Sequence, residues 1–107
     1  MTTLMPEAQI ATTNKETSRT VLRLLVRNHA GVMSHVCGLF ARRSFNVDGI
    51  LCMPIADCQR SAVLLAVADD ARIGQMMQQL RKLEDVIEVE RAPAASAAFD
   101  AVGRWLR

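Results

Sequence analysis

The chain has 107 residues, half of them hydrophobic, which is the length of one domain and enough apolar material for one core. A net charge of +2, three Phe, one Trp and no Tyr argue against a nucleic-acid surface, which needs basic and stacking groups. No apolar run approaches the about 20 residues of a membrane span, and the N-terminus lacks a signal-peptide pattern. The three cysteines form no C-x-x-C pair, which favours reduced thiols in a cytoplasmic protein.

The first predicted elements run from the N-terminus to residue 55. Residues 1–18 show no periodicity, and we predict a mobile N-terminal arm. Apolar residues alternate over Arg19–Arg27, which predicts a strand, whereas residues 31–44 follow a helical period. Alternation resumes at residues 46–55 and predicts a second strand. The expected buried positions are Leu22, Leu24 and Val26, then Val32, Val36, Leu39 and Phe40 in the helix, and Val47, Leu51, Met53 and Ile55 in the second strand.

The following elements repeat this pattern. A loop at residues 56–60 predicts a hairpin into an apolar strand over residues 61–68. Asp69 and Asp70 are expected to cap the next helix and to place negative charge in its first turn. A last strand is predicted over Val86–Arg91. The expected buried positions are Ile73, Met76, Met77, Leu80 and Leu83 in the helix, and Ile87 and Val89 in the strand.

The order of elements over residues 19–92 is therefore βαββαβ. This order predicts an α+β, ferredoxin-like sandwich, in which a four-stranded antiparallel sheet has two helices on one face. The other face would expose apolar side chains such as Val21 and Leu25, and the edge strands would offer unpaired backbone groups. We therefore expect a homodimer, most simply around a two-fold axis.

Residues 93–107 form a C-terminal tail that is a candidate amphipathic helix. Its alanines favour a helix, and Phe99, Val102 and Leu106 recur at helical spacing beside Trp105. The sequence leaves open whether this tail frays or docks on a partner. In the second case we expect it to be mobile or loosely docked in the isolated chain.

The best candidate for a site is the turn at Gly31. A glycine at the start of a helix leaves the first helical N–H groups uncovered, and these attract a carboxylate or a phosphate. Asn28 and Asn46 bracket the helix and add amide donors and acceptors. The same glycine is equally compatible with an ordinary strand–helix turn. Because the segment holds no nucleophile and no base, it predicts ligand binding and not catalysis.

Three segments around this helix carry a family resemblance. They are Asn28-x-x-Gly31-Val32-Met33, Gly38-Leu39-Phe40-Ala41-Arg42-Arg43 and Phe45-Asn46-Val47. Together with residues 49–55 and 82–86, they resemble the regulatory (small) subunit of acetohydroxyacid synthase, also called acetolactate synthase, in its short bacterial form with a single ACT domain. The resemblance extends from about residue 21 to residue 91 and leaves both tails uncovered.

This resemblance implies a cytoplasmic dimer that activates a catalytic subunit and confers feedback inhibition by valine in branched-chain amino acid biosynthesis. It implies that Asn28 and Gly31 contact the effector, and that Asn46 reaches it from the partner subunit. The other implied effector-site residues are His29, Ala30, Val32 and Met33. Thiamine diphosphate, magnesium and FAD would belong to the catalytic subunit, so we expect no cofactor on this chain. The tail is expected to become ordered against that subunit.

Two other interpretations compete with this one. The first is a free-standing amino-acid-sensing ACT protein with a different target, and the match at residues 38–43 argues against it. The second is a small ferredoxin-like enzyme or RNA-binding domain. The lack of a nucleophile–base pair and of aromatic residues on the strands argues against both versions. No metal site is expected, because His29, His35 and Cys37 do not form a ligand pattern.

Overall fold

The computed structural model describes residues 19–27 and 31–107, so the predicted arm at 1–18 and residues 28–30 lie outside the described residues. The predicted βαββαβ order is confirmed, and a further helix follows it. The elements are β1 (Arg19–Arg27), α1 (Val32–Arg42), β2 (Val47–Pro54), β3 (Arg60–Ala68), α2 (Ile73–Arg81), β4 (Val86–Arg91), a 3₁₀ turn (Pro93–Ala95) and α3 (Ser96–Leu106).

The strands form one antiparallel sheet in the order β2-β3-β1-β4. β3 pairs with β1 on one side, from Arg19↔Ala68 to Arg27↔Arg60, and with β2 on the other side. Because β1 and β2 are both antiparallel to β3, they run in the same direction. β2 and β4 are the edge strands of the described sheet, which is the ferredoxin-like arrangement that the sequence predicts.

One face of the sheet packs against α1 and α2. The helix positions that the sequence predicts as buried form this core, and Leu83 is partly buried against it. Leu22 pairs with Leu65 and Leu24 pairs with Val63, so these side chains from the two central strands line the same face. Full burial of each such side chain contributes about 1.5–3 kcal/mol. Hydrophobic periodicity therefore located the core correctly in both helices and in β1.

The predicted burial pattern of β2 is wrong beyond Val47 because the strand contains an irregularity at Asp48. Val47 packs against the core, but the pairing register shifts between Val47 and Gly49. One extra residue reverses the faces of all residues that follow it in a strand. Leu51 and Met53 therefore lie on the face away from α1 and α2, and Met53 is 69% exposed.

The prediction that Ile87 is buried is also wrong, because β4 contains a second shift in register. Leu25 pairs with Glu88 and Val26 pairs with Val86, so Ile87 is the extra residue of β4. Val86 packs against the core instead, and Ile87 is 42% exposed. Strict alternation cannot locate such a bulge, because the partner strand decides where the extra residue lies.

Asp70 stabilises the turn before α2 and does not cap the helix as predicted. The first turn of α2 contains no acidic residue, and its N-cap position is Arg72. The Asp70 carboxylate accepts a hydrogen bond from the Arg72 backbone N–H at 2.7 Å, and the Asp70 carbonyl accepts one from the Ile73 N–H at 3.1 Å. Asp69 forms an exposed ion pair with Arg91 at 3.3 Å. The Asp70 carboxylate therefore stabilises the turn that precedes α2. It makes this hydrogen bond in place of a cap on the helix.

The face of the sheet opposite α1 and α2 is partly covered by α3. The Ala92 N–H donates to the Val21 carbonyl at 2.8 Å, which brings the chain beside β1. Phe99 then lies over Gly49, where an added Cβ would be 2.9 Å from the ring. Val21 and Leu25 are only 2% and 6% exposed. The expectation that these two side chains face water is therefore wrong.

Asp70 is expected to make stability depend on pH. The Arg72 backbone N–H, assisted by its guanidinium, holds the pKa of Asp70 below its ordinary value. A lowered pKa means that the charged form stabilises the fold, and that this stabilisation is lost as the pH falls through the folded-state pKa. Asp70→Asn should therefore lower the free energy of unfolding at neutral pH, and the difference should shrink as the pH falls through the folded-state pKa of Asp70.

Urea unfolding of both chains at neutral and acidic pH measures this difference. Asp69→Asn is the matched control, because it removes an exposed ion pair that contributes little. A deficit of Asp70→Asn that persists undiminished in acid would contradict the assignment.

Candidate functional site

Gly31 directs the chain into α1 through a left-handed backbone, with φ 92° and ψ −14°. An L-residue other than glycine is strained there by roughly 1–2 kcal/mol. A Cβ built at Gly31 would meet no atom of the described residues within 4 Å, and among these residues the requirement for glycine is conformational and not steric. The turn therefore leaves open space beside the start of the helix.

The N-terminus of α1 has uncapped backbone donors. The first intrahelical hydrogen bond runs from the His35 N–H to the Gly31 carbonyl at 3.1 Å, so the N–H groups of residues 32–34 precede it. No described side chain caps the helix, and its first turn holds no acidic residue. These donors and the positive end of the helix dipole suit a carboxylate ligand.

Val32 and Met33 contribute to this turn mainly through their backbone. The Val32 side chain is buried in the core, and Met33 is partly buried against it. Their side chains therefore hold the start of α1 on the sheet. Residues 28–30, which include the predicted Asn28, His29 and Ala30, lie outside the described residues.

Asn46 lies at the opposite end of α1 from Gly31. The 11 residues of α1 span about 16 Å at 1.5 Å per residue, and Asn46 follows the buried Phe45 beyond the end of the helix. Its side-chain amide donates to the Asp48 carboxylate at 2.8 Å, and Asp48 forms an ion pair with Arg19 at 3.2 Å. The structure does not bring Asn46 to the Gly31 turn within one chain.

Asp48 is a neighbour of the candidate site that the sequence did not reveal. It forms a side-chain hydrogen bond to Asn46, and it is also the residue at which the register of β2 shifts. The only signal for it in the sequence is an acidic residue two positions after an asparagine, which is too common to identify a contact. The pairing of β2 with β3 is what reveals it.

One backbone acceptor on the outer edge of β4 is occupied by a side chain of α2. The Ala92 N–H donates to the Val21 carbonyl, and because hydrogen-bonded pairs alternate, Val89 lies opposite Leu24 in a non-hydrogen-bonded pair. The Val89 carbonyl therefore points away from β1. The Arg81 guanidinium donates to this carbonyl at 3.0 Å, which occupies an edge acceptor that another strand would need.

β2 forms the opposite edge and has no comparable side-chain cover among the described residues. Its exposed side chains include Ile50 at 41% and Met53 at 69%. Its backbone pairs with β3 on one side only. β2 is therefore the edge that is available for pairing with another strand.

The described part of the chain also lacks several other kinds of site. Within residues 19–27 and 31–107, no three His, Cys, Asp or Glu side chains group as metal ligands. No helix there is long and apolar enough to cross a membrane. Cys37 and Cys52 are free thiols. The open turn at Gly31 and the open edge at β2 are the features that remain for function.

Comparison with known proteins identifies the family of this chain. Residues 22–88 match the family model for the AHAS small subunit-like ACT domain. The chain is 55% identical over 82 residues to the acetolactate synthase isozyme 1 small subunit of Escherichia coli K12, covering 77% of this chain and 85% of that protein. It is 38% identical over 72 residues to the acetolactate synthase small subunit of Haemophilus influenzae, covering 66% of this chain and 44% of that protein.

Solved structures give the same result. The crystal structure of the acetolactate synthase small subunit from Thermotoga maritima superimposes with a TM-score of 0.63 at 34% identity, over 68% of this chain and 46% of that chain. The ACT domain from GTP pyrophosphokinase of Chlorobium tepidum, with a TM-score of 0.56 at 20% identity, shows the fold alone. The chain belongs to the acetolactate synthase (AHAS) small-subunit family, and it is an ACT-domain regulatory subunit without a catalytic role of its own.

Proposed function

We propose that this chain activates the catalytic subunit of acetolactate synthase and confers feedback inhibition by valine on it. The observation that carries the proposal is the left-handed turn at Gly31 ahead of an uncapped helix, in a chain of the small-subunit family. The carboxylate of an amino acid is the group that such a helix N-terminus attracts. Met33 is only partly buried against the core, and we assign its remaining exposed surface to the isopropyl group of valine.

The topology of the sheet supports a valine site that is shared by two copies. β1 and β2 run in the same direction, so the end of β2 lies at the same end of the sheet as Gly31, and Asn46 lies at the other end. When two β2 strands pair antiparallel around a two-fold axis, the start of one lies beside the end of the other. The partner's Asn46 is then carried to the Gly31 end. This argument supports a homodimer through β2.

Inhibition then follows from a shift between two arrangements of the dimer. A ligand changes such an equilibrium only when it binds one arrangement more tightly than the other. Valine that binds between Gly31 of one copy and the partner's Asn46 favours the arrangement in which both residues contact it. We propose that this arrangement supports the catalytic subunit less well, which couples the two sites.

The cofactors and the cellular location belong to the same proposal. Thiamine diphosphate, magnesium and FAD are assigned to the catalytic subunit, and this chain contributes regulation only. We place the complex in the cytoplasm, where free thiols such as Cys37 and Cys52 stay reduced.

Reconstitution tests the proposed function directly. Adding the purified chain to its catalytic subunit should raise the rate of acetolactate formation severalfold and make that rate sensitive to valine. The measurement is the rate as a function of the concentration of this chain, with and without valine, with leucine and isoleucine as matched effectors. A chain that binds valine but leaves the rate unchanged would be a free-standing sensor for another target.

Two substitutions of Gly31 separate the effect of a negative charge on valine binding from the effect of an added side chain. Gly31→Asp and Gly31→Asn add side chains of nearly equal size, and the left-handed backbone strains both residues to a similar extent. The Asp carboxylate additionally repels the carboxylate of valine. We expect valine to bind Gly31→Asp at least tenfold more weakly than Gly31→Asn, which is about 1.4 kcal/mol. Calorimetric titration measures both affinities, and equal affinities would remove the ligand carboxylate from this turn.

Complementation tests whether two copies share the site. Asn46→Ala should bind valine about ten- to hundredfold more weakly, because a hydrogen bond to a charged group contributes about 1.5–3 kcal/mol. A mixed dimer of Gly31→Asp and Asn46→Ala chains has one site in which both groups are intact. Mixing the two variants should therefore restore tight binding at about one quarter of all sites.

The stoichiometry of tight valine binding measures this rescue. Chains with both substitutions, mixed with Gly31→Asp chains, are the control and should restore nothing. If the two single variants exchange subunits and no tight site returns, Asn46 acts inside its own chain, as its hydrogen bond to Asp48 would allow.

A further inference from the structure

α3 carries an apolar stripe whose exposure rises along the helix. Phe99, Val102 and Leu106 recur at helical spacing, so they share one face. Phe99 lies over Gly49, but Val102 is 38% exposed and Leu106 is 81% exposed. A helix that lies on a continuous surface would bury the whole stripe alike. The surface beneath α3 therefore ends before the helix does.

The path of α3 explains this gradient. The helix begins beside β1, where Ser96 and Val21 line the same cleft, and Phe99 then reaches Gly49 on the edge strand β2. Residues 100–106 extend the helix by about 10 Å, which is twice the spacing of about 4.8 Å between neighbouring strands. The last two turns of α3 therefore form a projecting end at the edge of the sheet, where Val102 and Leu106 line an open cleft with Leu51 of the same chain's β2.

We propose that this projecting end of α3 packs on a second copy of the chain, over the end of that copy's β2. The inference rests on the two-fold pairing of β2 proposed above. α3 crosses β2 at its start, near Gly49, and antiparallel pairing places the end of the partner's β2 beside that start. Met53 occupies this end of β2, lies on the face of the sheet that α3 covers, and is 69% exposed.

The two surfaces are complementary in their chemistry. Leu106 and Met53 are both apolar and exposed in the single chain, and a two-fold axis lets each copy cover the other's Met53. The flexible thioether of methionine adapts well to such a contact. The contact forms twice, and it adds apolar area toward the about 1,200–2,000 Å² that stable interfaces bury. α3 thus forms a strap that joins the two copies.

Charge substitutions test this contact. Leu106→Asp should raise the dissociation constant of the dimer at least tenfold, because the projecting end then places a charge on an apolar surface. Ala101→Asp is the matched control, since Ala101 is exposed and lies on the opposite side of α3 from Phe99. Sedimentation equilibrium measures both constants. Circular dichroism confirms that each variant is folded, which the exposure of both positions favours.

Disulfide cross-linking gives an independent measurement on the assembled dimer. In a chain without its three native cysteines, Leu106→Cys copies mixed with Met53→Cys copies should form a mixed covalent dimer under mild oxidation. Ala101→Cys copies mixed with Met53→Cys copies should not. An affinity tag on one of the two chains identifies the mixed product by mass.

The outcomes distinguish this inference from the proposed function. If Leu106→Asp leaves the dissociation constant of the dimer unchanged and no specific cross-link forms, the strap is wrong and the shared valine site is unaffected. A chain that never dimerises overturns both. If Leu106→Asp leaves the dimer intact but raises the concentration needed for half-maximal activation, the projecting end binds the catalytic subunit, and the inference is wrong.

Discussion

The common direction of β1 and β2 on either side of β3 is the constraint on which the function of this chain depends. It places Gly31 and Asn46 at opposite ends of α1, about 16 Å apart along the helix axis. A site that uses both groups cannot close within one copy. In the proposed dimer, each chain carries two half-sites, and a partner that runs in the opposite direction completes them. Regulation then becomes a property of the pair.

The irregular positions of the sheet determine which surfaces such a pair can use. The extra residue at Asp48 turns Met53 to the face that α3 covers, and the Arg81 contact to Val89 blocks the opposite edge. Without the first feature Met53 would point toward the helices, and without the second both edges would be open. A bulge in β2 and a side-chain contact on β4 thus distinguish the two edges of the described sheet.

The candidate site, the open edge and the C-terminal helix all converge on β2. Asn46 precedes this strand, Gly49 lies beneath Phe99, and Met53 lies near the Gly31 end. A ligand that binds between two β2 edges would therefore act on the same contacts that hold the dimer together. This arrangement gives a physical basis for coupling, because ligand binding and dimer geometry share their residues.

The sequence by itself determined the elements that depend on local periodicity. The apolar stripes of α1 and α2, the buried face of β1 and the family motif from Asn28 to Val47 follow from residue spacing along one segment. The tertiary structure alone decided the bulges at Asp48 and Ile87, the turn at Asp70, and the burial of Val21 beside α3. Each of these depends on a neighbour that is distant in the chain or on a competing hydrogen bond. The spacing of hydrophobic residues carries no information about either. The position of the end of β2 at the Gly31 end of the sheet belongs to the same class, because only the pairing of the strands sets which ends of the elements lie together.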